Sequence, residues 1–223
     1  MHTSDRQPAN PPHFVSETLM PVLARARRSP SLRAFHHRGF RRMSVANLVS
    51  ITGTWMQMIA QSWVVLQLTG STAALGASVA VQAAPAVLLG LWGGAVVDRC
   101  DKRRVLVLTQ VVLAALAAVL AVVASGPALT VAALYALALV TGVVHVFDGP
   151  AQASFGNELV PADDLANAAA IGSAINSTGR VLGMSLGGVL VAAAGPAAVF
   201  WCNAASYVVV TAVLLTMRRA DIV

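Results

Sequence analysis

The sequence predicts an all-α, polytopic membrane protein of six transmembrane helices packed as two groups of three. Three observations carry this. Hydrophobic residues make up 57% of the 223 residues and charged residues only 11%, against about 25% charged in an average soluble domain. Mean hydropathy is +0.72. The few charges sit in short stretches, separated by apolar runs of roughly 20 residues, the length that spans a bilayer core. A soluble fold needs a charged skin, and this chain has too few charges to make one.

Residues 1–39 hold no apolar segment of the kind a cleavable signal peptide requires. They carry Pro8, Pro11, Pro12, Pro21 and Pro30 among many Arg residues. The expectation is a disordered, basic cytosolic tail, with a short amphipathic stretch near Leu32–Phe40 on the lipid headgroups. Residues 40–219 form the bundle, and 220–223 begin a central linker. The first span is expected over Met43–Leu68 and ends at the turn signal Thr69-Gly70-Ser71-Thr72. The second covers Ala74–Val97 and the third Val105–Ala124, with a charged loop between them. The fourth covers Thr130–Phe147 and is followed by a polar connection, 148–167, containing Pro150 and Pro161. The fifth runs Ala168–Ala194 to Gly195-Pro196, and the sixth covers Ala198–Met217 before Arg218-Arg219.

Basic residues set the orientation. Arg25, Arg27, Arg28, Arg33, Arg38, Arg41 and Arg42 precede the first span, Arg99, Lys102, Arg103 and Arg104 follow the second, and Arg218 and Arg219 follow the sixth. The loops after the first, third and fifth spans carry no charge. Both termini are therefore expected in the cytosol, with the chain multi-pass in the cytoplasmic membrane. The net charge of +6 is then a matter of topology. Nucleic acid is not an expected partner, because the stacking aromatics and base-reading motifs it needs are absent. Cys100 and Cys202 fall on opposite sides, so no disulfide joins them, and neither has metal-ligand spacing.

The loop Gly94-Ala95-Val96-Val97-Asp98-Arg99-Cys100-Asp101-Lys102-Arg103-Arg104 exceeds what anchoring requires. Gly94 and Asp98 share a helical face. A Gly permits close approach of another helix. A carboxylate at a helix C-terminus is disfavoured unless it has a partner. The loop resembles signature A of the major facilitator superfamily, with Asp101 where a second Gly is usual. Phe40-Arg41-Arg42, Leu68-Thr69-Gly70-Ser71, Gly149-Pro150-Ala151-Gln152-Ala153 and Glu158-Leu159-Val160-Pro161 resemble the branch that contains drug and siderophore exporters of the enterobactin-exporter type. The resemblance covers Phe40 to Arg219. It implies the N-terminal half of a twelve-helix transporter that works by alternating access. Gly94, Asp98, Arg99, Arg103 and Arg104 would form a gating loop that latches onto the second half.

The fifth span carries Gly179, Gly183 and Gly187 at four-residue spacing, a groove for close helix packing. It resembles signature C of the superfamily's antiporters, with Met184 where that signature has Pro. Arg180 is the only Arg or Lys inside a span. At mid-bilayer it needs a partner, a wet cavity or a route to the interface. Asp148 is the candidate partner, and His145 lies three residues before it on the same face. A clasp with Asp148 and a substrate or proton role are both open readings.

On the first span Asn47, Ser50, Thr54, Gln57 and Gln61 fall at steps of 3, 4, 3 and 4, one helical face. They either bond to neighbouring helices or line water. The resemblance favours the second, which puts Asn47, Thr54, Gln57, Gln61, His145, Asp148 and Arg180 around a substrate cavity. Trp55 and Trp63 would add wall, and Gln82 is a weaker candidate.

No catalytic constellation and no phosphate-binding Gly-rich loop is found, which argues against an enzyme, against ATP drive and against a cofactor or metal. The expected function is secondary active export of a small amphipathic molecule, coupled to a proton gradient. The expected partners are the lipid bilayer, the solute, and a missing C-terminal half or a second copy. A half-transporter active only as a dimer, and a truncated or non-transporting membrane scaffold, are the alternatives.

Overall fold

The computed structural model describes residues 30–217 except Ala128, and every regular element among them is helical. The expected tail up to residue 29, Arg218-Arg219 and the linker 220–223 lie outside the described residues. A 3-10 turn, Pro30–His36, leads into α1 (Arg38–Thr69). Then follow α2 (Thr72–Asp98), α3 (Lys102–Ala124) and α4 (Val131–Glu158). A second 3-10 turn, Ala162–Asp164, precedes a last helical stretch, Leu165–Thr216. Gly195 breaks that stretch with φ 79° and ψ 168°, a conformation essentially reserved for glycine. Pro196 follows, pre-set for the first turn of a new helix. The two arms are numbered α5 (165–194) and α6 (196–216).

Among the described residues, four stretches are long and apolar enough to cross a membrane: α2, α3, α4 and Ala162–Thr216. Helix α1 is longer than α2, but its polar stripe, Gln57 and Gln61 above all, dilutes its apolar run.

Local chemistry explains where the helices start and stop. Gly70 ends α1 in the left-handed region (φ 61°) while its N–H donates to the Leu66 carbonyl at 2.8 Å, the usual glycine stop. Ser71, Asp101 and Thr130 then cap α2, α3 and α4, each accepting from the backbone N–H three residues on, as N-cap oxygens do. Helix α4 runs on through the stretch 148–158 expected as a polar connection. Ala151, Phe155 and Leu159 are fully buried at four-residue steps, so packing overrides the Pro150 signal.

The Arg- and Lys-bearing end of the bundle is called its basic end here. Near it one apolar cluster gathers Phe40, Val97, Leu106, Phe155 and Leu214. Toward the opposite end a second gathers Met56, Val65, Leu120, Leu134 and Phe200. Leu113 and Ala117 of α3 pack on Ala204 and Tyr207 of α6. Glycines allow two close crossings. A Cβ on Gly93 would strike Val146 of α4, and one on Gly142 would strike the Gln82 backbone, which seats α2 on α4. Gly179, Gly183 and Gly187 receive α1 at Ile51, Thr52–Trp55 and Met56.

The other face of α2 is bare among the described residues: Leu91 is 96% exposed, and Val87, Leu88 and Trp92 are more than three-quarters exposed. The turn Pro30–His36 lies in the stretch expected on the headgroups, and here it is pinned to the bundle. Asp164 meets Arg33 Nε at 3.4 Å and His37 Nε2 at 3.1 Å, and the Ala34 N–H donates to Asn167 Oδ1.

Candidate functional site: a polar cleft between α1, α4 and α5

The α1 stripe divides along its length. Asn47 lines a cavity of about 460 Å³ bounded by α1, α4 and α5. Ser50 and Thr54 line an adjoining one of about 180 Å³ with Trp55, His145, Asp148 and Tyr207. The two share Ile51, Gly149, Gln152 and Asn176 as common walls, so they are compartments of one cleft. Higher on α1 the stripe turns into packing. Gln57 Oε1 accepts from Asn203 Nδ2 of α6 at 2.8 Å, and Gln61 Nε2 donates to the Leu134 carbonyl of α4 at 3.3 Å. The stripe thus both lines the cleft and bonds to neighbouring helices, residue by residue.

Asp148 forms the floor of the smaller compartment and is only 4% exposed. Thr109 Oγ1 and Gln110 Nε2 of α3 donate to its Oδ1 at 2.6 and 3.0 Å, and Gln152 Nε2 donates to its Oδ2 at 2.8 Å. A buried carboxylate must be hydrogen-bonded or paired. Here three neutral donors hold it, and no ion pair to it forms among the described residues. His145, one turn away, has its Nε2 buried without a hydrogen-bond partner, as has Asn47 Oδ1. Thr54 Oγ1 lies 3.0 Å from the Tyr207 hydroxyl across the α1–α6 contact.

Asp148, His145, Thr54 and Asn47 are therefore brought to one cleft. Gln57 and Gln61 stand beyond it. Arg180 is not brought to Asp148: its guanidinium carbon lies 5.7 Å over the ring of Trp55, a cation–π contact beside the cleft wall.

The loop at the basic end has two kinds of residue. Asp98 and Arg99 are exposed. Arg103 is tied down: its Nε donates to the Leu214 carbonyl at 3.0 Å, and its Nη2 donates to those of Leu215 and Met217. A cation on the last carbonyls of α6 satisfies orphan acceptors and opposes the helix dipole. Within this chain a Cβ on Gly94 would meet nothing within 4 Å. The close helix contact falls on Gly93, one residue earlier.

Residues 29–222 match the transmembrane secretion effector family. The chain belongs to that family of the major facilitator superfamily. It is also 24% identical over 194 residues to YfiS of Bacillus subtilis (strain 168), described as an uncharacterized MFS-type transporter; the match takes in 82% of this chain. The chain spans 43% of that relative's length. No solved structure gives a significant match. The family makes this secretion-effector chain a multi-pass membrane protein of the transporter type.

Several residues escaped sequence reading, Asn176 and Tyr207 of the cleft lining among them. Thr109 and Gln110 hold Asp148, and Asn203 holds Gln57. Each stands inside an otherwise apolar span. Polar side chains isolated in this way carry a signal, but the sequence does not show which helix they face.

Proposed function

We propose that this secretion-effector chain is the six-span N-terminal half of a secondary transporter that exports a small amphipathic molecule across the cytoplasmic membrane by alternating access. The observation that carries this is the cleft. It mixes amide, hydroxyl, imidazole and carboxylate groups with the apolar Ile51 and the Trp55 ring. Buried Asn47 Oδ1 and His145 Nε2 have no internal partner. Such atoms in a cavity suit a solute or water that supplies the missing bonds. His145 and Asp148 are the groups on which a proton gradient would act. The bare apolar face of α2 supports a second half or a second copy packed there, with Asp98 and Arg99 exposed to meet it. A homodimer would have to use a face other than the glycine groove, which α1 already fills.

The test is ethidium extrusion by efflux-deficient cells that express the chain alone or together with a C-terminal six-helix half. Co-expression is expected to give extrusion that a protonophore abolishes and that Asn47→Ala slows several-fold. Extrusion by the chain alone would favour the dimer. No extrusion of ethidium or of other amphipathic dyes in either arm would sink the export reading.

Orientation has its own test, since Cys100 and Cys202 are both exposed on the protein surface. A membrane-impermeant maleimide is expected to label Cys100 in inside-out vesicles and not in intact cells. Cys202, on an apolar face of α6, should stay unlabelled in both. Labelling of Cys100 from outside would reverse the topology.

A further inference from the structure

A second cavity lies apart from the polar cleft and shares no lining residue with it. It is a groove of about 860 Å³ at the basic end, formed by the start of α3 and the ends of α4 and α6. Its lining is sorted by depth. On α3, Arg104, Val107, Leu108 and Val111 fall at i, i+3, i+4 and i+7, a single helical face. At 1.5 Å per residue, Val111 lies about 10 Å deeper than Arg104. The cation thus sits at the water boundary and the apolar wall descends from it. Leu215 of α6 continues that wall, and Leu108 and Leu215 are each more than 60% exposed.

The rim charges are distributed unequally. Lys102 pairs with Glu158 at 3.6 Å, and Arg103 donates to the α6 carbonyls. Arg104 has only a long contact, 3.8 Å, to Asp101, and its side chain is 88% exposed. Three cations against two carboxylates leave the groove net positive, with Arg104 as its available donor.

We propose that this groove is a binding site for an anionic phospholipid, with its phosphate on Arg104 and its acyl chains along Val107, Leu108, Val111 and Leu215. Charge complementarity argues for the anionic class: a basic pocket between helices at a membrane surface attracts such headgroups. The apolar descent argues for a lipid over a free anion, because a soluble phosphate would leave that wall bare. The site lies apart from the cleft, and it requires only that the 98–104 loop meet a membrane–water boundary on either side.

The experiment is native mass spectrometry of the purified chain in detergent with equimolar phosphatidylglycerol and phosphatidylcholine of identical acyl chains. Wild type is expected to retain phosphatidylglycerol preferentially. Arg104→Gln should lower that preference about fivefold, the effect of one cation at a membrane surface. Val111→Trp, which fills the groove and leaves every charge in place, should also lower phosphatidylglycerol retention. Both positions are half-exposed or more, and size-exclusion profiles check that the variants fold. Equal retention of the two lipids by wild type, or an unchanged preference in Arg104→Gln, would overturn the proposal. Displacement by inorganic phosphate as effective as that by short-chain phosphatidylglycerol would also overturn it, by reducing the site to an anion site.

Discussion

Gly183→Leu is expected to cost the bundle its fold, whereas Gly188→Leu, five residues on along the same helix, should leave it intact. A Cβ at Gly183 would lie 2.5 Å from the Thr52 carbonyl oxygen and 2.6 Å from Trp55 Cβ. The first is backbone and the second is the root of a large ring, so neither can swing aside. Overpacking a core costs about 1–3 kcal/mol where side chains can adjust. Against backbone, α1 must move off α5, and the expected loss is about 3 kcal/mol or more. Gly179 and Gly187 lie in the same groove, so the whole α1–α5 contact is at stake, together with the cleft wall that α1 supplies. A Cβ on Gly188 would meet nothing within 4 Å, which makes that position the control for added bulk in the bilayer. Fluorescence-detected size exclusion and a thermal-unfolding scan of the extracted protein read the difference. A monodisperse Gly183→Leu variant with wild-type melting would show that the groove is not needed to hold α1.

The same groove shows how much the sequence discloses. Four-residue spacing marked Gly179, Gly183 and Gly187 as a packing face, because helical periodicity alone decides which residues share a face. Which helix fills that face depends on tertiary register, and the partner proved to be α1. The stripe from Asn47 to Gln61 behaves likewise. Its common face was legible. Its division into a cleft-lining half and a half bonded to Asn203 and Leu134 follows from where α4 and α6 cross α1. Gly94 was singled out by its spacing from Asp98, yet it is Gly93 that meets Val146, since a one-residue step turns a helix by about 100°. The reach of α4 to Glu158 was hidden because Pro150 reads as a stop. A helix accepts that proline by giving up one backbone bond when Ala151 and Phe155 are buried on its far side. Asp148 was picked as the candidate partner of Arg180, which instead lies over Trp55, and its holders on α3 were not picked, because the sequence carries no trace of the contact between α3 and α4.

Asp148 offers the sharpest separation of structure from function, because two substitutions there should behave differently. Asp148→Ala removes the acceptor for three donors at once, from Thr109, Gln110 and Gln152. The Thr109 hydroxyl can fall back on the Leu106 carbonyl at 3.1 Å, but each of the two amide donors left unpaired costs about 1–3 kcal/mol. Water entering from the adjoining compartment offsets part of that, so a net loss of about 2–5 kcal/mol is expected, seen as a lower melting temperature. Asp148→Asn is nearly isosteric. Its Oδ1 still accepts from Thr109 and Gln110. Its new amide faces Gln152, which can turn its own amide over and accept instead of donating. The network survives and only the charge is lost, so stability should stay within about 1 kcal/mol of wild type. A charge that merely fastens α3 to α4 would make Asp148→Asn silent in transport. A charge that acts with His145 on solute or proton would make it fall about tenfold or more in protonophore-sensitive ethidium extrusion, with the melting temperature unmoved. The second outcome is expected. The donors on Asp148 are all neutral and the nearby imidazole nitrogen has no hydrogen-bond partner, so among the described residues no ion pair balances this buried carboxylate, and it lines the cleft in which the proposed function places the solute. Wild-type extrusion by Asp148→Asn would reduce Asp148 to a hydrogen-bonding post between two helices.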